Sequence, residues 1–100
     1  MARRQFQSLL DVVYAGPVTV DIGNAATGNG TFGTGTVTVS GAAVGDAVLV
    51  FPRTAYTAGA PVVGDVSAAN TVRLTVLNNS AGAVDYASQV YDIVVFRKIF

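Results

Sequence analysis

Valine at every second position is the feature that most restricts what this chain can become. Residues 36–40, TVTVS, put Val37 and Val39 on one side and Thr36, Thr38 and Ser40 on the other. Residues 71–77, TVRLTVL, set Val72, Leu74 and Val76 against Thr71, Arg73 and Thr75, and PVTVDI at 17–22 aligns Val18, Val20 and Ile22. A two-residue period built from β-branched side chains is the mark of a half-buried strand, because successive side chains of a strand leave opposite faces. Two denser runs, DAVLVF (46–51) and YDIVVF (91–96), read as strands buried on both faces, inside a sandwich or at an interface. Between the runs stand turn signals: SGAAVGD (40–46), a proline-bounded loop PRTAYTAGAP (52–61), a tight SAAN turn (67–70) and a connection at 78–89 with room for a short strand near 83–85.

This spacing indicates an all-β fold, a small β-sandwich or jelly-roll-like body. The one helical candidate is RRQFQSLLDVVY (3–14), where Phe6, Leu9, Leu10 and Val13 share a helical face; Val12, Val13 and Tyr14 favour an extended conformation instead. Residues 23–36, GNAATGNGTFGTGT, hold five Gly and four Thr and no charge. The chain therefore divides into an extended N-terminal arm (1–22), a Gly/Thr-rich connector (23–35) and a sandwich body (36–100). A flexible segment of this length spans roughly 20 Å on average and about 48 Å when stretched. That is enough to carry an arm to a neighbouring subunit. The plainer alternative is a surface loop joining two strands of one sandwich, with Phe32 covering the core edge.

Composition bears on partners. Half of the 100 residues, 51%, are hydrophobic and 12% are charged, with six basic and six acidic residues cancelling. A small domain buries a limited share of its surface, so part of the apolar excess is expected to face another subunit. Zero net charge leaves no electrostatic footprint for nucleic acid. No apolar run approaches a membrane span, and the start only faintly imitates a signal peptide, since Gln5, Gln7, Ser8 and Asp11 interrupt it.

The inventory of reactive groups argues against an enzyme. Without His or Cys there is no ordinary catalytic triad, thiol or zinc chemistry. The six Asp are scattered, with Asp46 and Asp85 placed as turn formers. Gly28, Gly30 and Gly33 have G-x-G-x-x-G spacing but lack the preceding buried strand and following helix of a nucleotide site. No metal or other cofactor is expected.

The stretches VTVSGAAVGDAVLVFP (37–52), VSAANTVRLTVLNNSAGAVD (66–85) and YDIVVF (91–96) resemble small β-modules in structural proteins of tailed bacteriophages, most closely the capsid decoration, or cement, proteins. The resemblance covers about residues 36–96. It implies a structural virion protein that forms a trimer on the outer surface of the capsid and binds the major capsid protein. The alternative is a tail-fibre or appendage module that recognises host glycans. Candidate contact residues are Arg3 and Arg4, which could reach acidic groups on the capsid, with Phe6, Val18, Val20 and Ile22 on the arm. Phe32 in the connector and the loop aromatics Tyr56 and Tyr86 complete the set.

Overall fold

A computed structural model describes residues 9–23, 25 and 31–100. Six strands form a single antiparallel sheet: β1 (Leu10–Val20), β2 (Thr31–Thr38), β3 (Ala47–Pro52), β4 (Val62–Ala68), β5 (Thr71–Asn78) and β6 (Gln89–Lys98). Their order is β1-β6-β3-β4-β5-β2, so β1 and β2 are the edges. The sheet curls on itself, giving a small sandwich-like all-β fold. At one end the edges meet, where the Gly23 N–H donates to the Thr34 carbonyl at 2.9 Å.

The two-residue period sets the register. Val72, Leu74 and Val76 of β5 point inward with no exposure at all, as does Val95 of β6; Ile93 and Tyr91 are 1% exposed. Burying each such side chain contributes about 1.5–3 kcal/mol, and these residues form one continuous core. The tight turn between β4 and β5 uses Asn70 at φ 60°, a left-handed conformation that Asn tolerates.

The N-terminal strand departs from expectation. Residues 10–20 pair with β6 of their own chain from Leu10↔Lys98 to Val20↔Gln89, with a bulge between Val12 and Tyr14. Val18, Val20 and Ile22 lie in the chain's own core at 8%, 2% and 0% exposure. They are therefore not a face kept for a neighbour: β6 has an open edge beside it, and pairing there satisfies the backbone of β1 and buries its valines in one step. Pro17, which removes a ladder donor, is accommodated because β1 is an edge strand. For Leu10–Tyr14 the extended reading holds over the helical one; residues 1–8 lie outside the described residues.

The boundary at residue 36 does not correspond to a structural division either. Residues 31–35 of the expected connector belong to β2, which pairs with β5 from Thr31↔Asn78 to Thr38↔Thr71. TFGTGTVT is a strand whose inward positions are Gly33, Gly35 and Val37. A Cβ at Gly35 would stand 2.6 Å from the Asp21 carbonyl oxygen and 2.8 Å from Val20 Cγ1. Glycine is there because the end of β1 crosses directly over it. The expected short strand near 83–85 is a single bridge, Ala25↔Val84.

Candidate assembly surface

Alternation that sends one set of side chains into the core sends the other set outward, and here that second set is unusual. One row across all six strands reads Val12, Phe96, Ala47, Asp65, Arg73, Thr36. The next holds Ala15, Val94 and Leu49 on one side and Val63, Thr75 and Thr34 on the other, with no charge. A third brings Pro17, Asp92 and Phe51 together, and pairs Leu77 with Phe32. Phe32 is 64% exposed, Leu49 and Phe51 50%, Val63 47% and Leu77 43%.

The charges on this face are consumed within it. Arg53 donates through Nε and Nη2 to both Asp92 carboxylate oxygens at 2.9 Å, and its guanidinium holds the Asp92 carboxyl below the ordinary carboxylate range. Arg73 makes the same two-pronged contact with Asp65. In the three rows every charge is paired with a neighbour, so these rows are electrically neutral; Lys98, opposite Leu10 beyond them, places its amine over the Phe100 ring. A partner approaching these rows meets no uncompensated charge to desolvate.

The register between β3 and β4 covers only Ala47↔Asp65 and Val48↔Gly64. Beyond it Leu49–Pro52 continue with β6, whereas Val62 and Val63 continue with β5. Gly64 allows this geometry, because a Cβ there would sit 2.7 Å from Val48 Cγ1. The outer face thus carries two apolar patches, Leu49 and Phe51 beside β6, and Val63, Leu77 and Phe32 across β4, β5 and β2.

Among the described residues singled out in the sequence, only Phe32 reaches this surface; its 64% exposure corrects the alternative that it covers a core edge. Arg3, Arg4 and Phe6 lie outside the described residues. Tyr56 and Tyr86 pack against the core and each other, with ring centroids 5.9 Å apart. The Tyr86 hydroxyl accepts the Thr57 N–H at 2.8 Å and donates to the Ala60 carbonyl at 2.7 Å, pinning the 52–61 loop. Burial raises the pKa of the Tyr56 and Tyr91 phenols, whose oxygens have no hydrogen-bond partner among the described residues. Leu49, Phe51, Val63 and Leu77 are not among the candidate contact residues of the sequence. Leu49 and Phe51 belong to the DAVLVF run, expected to be buried on both faces inside a sandwich or at an interface; the fold covers Val48 and Val50 partly and places no layer over Leu49 and Phe51.

A shallow cleft of about 230 Å³ lies elsewhere, lined by Ala43, Val44, Gly45, Asp46, Arg97 and Lys98. Its carboxylate is occupied. Asp46 accepts Arg97 Nε and Nη2 at 3.0 and 2.8 Å and the Ala43 N–H at 3.0 Å, while Arg97 Nη2 also donates to the Gly41 carbonyl. Hydrogen bonding from Arg97 lowers the pKa of Asp46, burial opposes the shift, and the Ala43 N–H adds to it. The Gly-Asp turn is thereby locked to β6. Among the described residues no group of three or more His, Cys, Asp or Glu is placed to hold a metal ion, and no helix is long and apolar enough to cross a membrane. Comparison with known proteins finds no matching family model, curated protein or solved structure.

Proposed function

We propose that the protein is a structural component of an assembled particle: a bacteriophage head-decoration, or cement, protein. In this reading it forms a trimer, sits on the outer surface of the virion capsid and binds the major capsid protein. The observation that carries the assembly role is the neutral, half-exposed apolar outer face of the sheet, with its charges tied off in ion pairs. Five large apolar side chains on it, Phe32, Leu49, Phe51, Val63 and Leu77, are 43–64% exposed, and clustered exposed apolar residues of this kind often mark contact surfaces. The step from assembly to a phage capsid rests on the sequence resemblance over residues 36–96.

The test is to incubate the purified protein with undecorated capsids and follow co-sedimentation, with a glycan array probed in parallel. Saturable attachment to capsids and increased resistance of the shell to heating are expected. Absence of attachment, with selective retention on a glycan, would replace the decoration reading by that of a host-recognition appendage.

A further inference from the structure

Three phenols gather beneath the 52–61 loop. Tyr91 stands on β6 opposite Pro52, where β3 runs out into the loop, and is 1% exposed. Tyr56 lies within the loop and packs against the same core, its ring centroid 5.9 Å from that of Tyr86. The hydroxyl oxygens of Tyr56 and Tyr91 are both buried, and neither has a hydrogen-bond partner among the described residues. We propose that these two hydroxyls hold an internal water molecule between them, a small neutral polar site sealed under the loop. The site belongs to the inner side of the sheet and stands independently of the outer-face reading.

Three observations carry the site. First, cost: a buried hydroxyl without a partner is unfavourable and uncommon in a native interior, and here two of them fall in one cluster. Second, spacing: the two phenols do not bond each other directly. They are nevertheless near enough that the Tyr56 pKa, raised chiefly by burial, is raised further by Tyr91 and Tyr86. For Tyr91 burial again comes first and Tyr86 next. Two hydroxyls that feel each other without bonding directly are the setting in which one water bridges. Third, valence: the Tyr86 hydroxyl accepts the Thr57 N–H and donates to the Ala60 carbonyl, which leaves it one lone pair. A water that donates to Tyr86 and bonds Tyr56 and Tyr91 has three partners, the usual number for an internal water. The same groups set the class of ligand. Phenols with raised pKa stay protonated at neutral pH, so they offer no anion to a metal cation, and an apolar occupant would leave both hydroxyls unbonded. Bound there, the water ties the loop, through Tyr56, to β6, through Tyr91.

The test is a cycle of conservative truncations in the full chain: Tyr56→Phe, Tyr91→Phe and the two together. Each removes a hydroxyl and keeps the ring. Each single variant should melt about 5 °C below the wild type. The double variant should melt little below either single one, because the same water is lost in all three. A single variant that melts at or above the wild-type temperature overturns the inference, since deleting an unpartnered hydroxyl does not destabilise. Losses that add in the double variant overturn it too, since they show two separate partners. The wild type gives a second readout: NMR should show a long-lived water with cross-relaxation to the hydroxyl or ring protons of both tyrosines. A water detected at one of them alone, or at neither, overturns the shared site.

Discussion

Strands β5 and β3 have similarly apolar sequences and opposite fates. In TVRLTVLN, Val72, Leu74 and Val76 have no exposure; in AVLVFP, Leu49 and Phe51 are each half exposed. From Thr71 to Val76 β5 alternates with Thr and Arg, so its polar set faces outward and its apolar set is enclosed by the curl of the sheet; at its end Leu77 turns outward and Asn78 inward. β3 is apolar in both sets. The curl encloses one set, Val48 and Val50, and no second layer exists for the other. Apolar density thus measures how much a strand needs cover, and the cover within a single chain stops at the inner face.

The sharpest break of this comparison is a matched truncation. Leu74→Ala removes a fully enclosed side chain and should destabilise by about 4 kcal/mol, the loss of transfer energy plus the cavity left behind. Leu49→Ala should change monomer stability by less than about 1 kcal/mol and, in the proposed trimer, shift the population toward smaller species. Urea denaturation at a concentration where the wild type is dissociated measures the first quantity, and light scattering the second. Equal losses of stability would mean that β3 is covered within its own chain.

A second test strikes the inner face from the glycine side. At Gly35 an added methyl group meets the backbone of Asp21 at 2.6 Å, and backbone cannot rotate away as a side-chain tip can. Gly35→Ala should cost about 3 kcal/mol through overpacking where β1 crosses β2. A near-neutral melting shift would show that the crossing is looser than the contact implies.

These inner-face results bear on what the sequence disclosed. The valine alternation marks β2 from Thr36, β5 and the C-terminal half of β1, and the denser runs mark β3 and β6, which together give the all-β class. Residues 31–35 were misread because glycine was taken as punctuation; yet TFGTGTVT keeps the same period, with Thr outward and Gly inward. A close crossing calls for glycine there, and that contact lies between segments distant in sequence. The partner of β1 was likewise not legible. An apolar strand face states that it must be buried, and nothing local says by which chain. The exposed apolar face was hidden for the same reason: Leu49 and Phe51 are indistinguishable in text from Val48 and Val50 until the curl assigns an inside.

A smaller effect comes from the Gly-Asp turn that anchors β3 before the two faces diverge. Asp46→Ala removes the Ala43 and Arg97 hydrogen bonds of a carboxylate whose side chain is 4% exposed. It should cost about 2 kcal/mol, or a fall in melting temperature on the order of 10 °C. The pH dependence has a definite sign. The folded carboxyl has a lowered pKa, so the stabilisation is fully present above the unfolded value of about 3.9. It is lost as pH falls through the lower folded value. Melting curves taken downward from neutral pH should show this component in the wild type and lack it in Asp46→Asn.

The smallest expected effect on folding is at Arg53, and it separates the outer face from the inner most cleanly. The Arg53–Asp92 pair is exposed, with side chains 54% and 42% accessible, and exposed pairs contribute little to stability because water already solvates both partners. Arg53→Ala should leave the melting temperature unchanged. It leaves the Asp92 carboxylate beside Phe51 without its partner, however, and any subunit of the proposed oligomer that closes over that patch must then desolvate a bare charge. Assembly should weaken measurably by light scattering. Asp92→Asn added to Arg53→Ala should restore it, since the double variant carries no charge at that position. If Arg53→Ala assembles like the wild type, the neutrality of the face does not govern its contacts. If the melting temperature falls instead, the pair belongs to the fold and the contrast between the two faces is less complete than their burial implies.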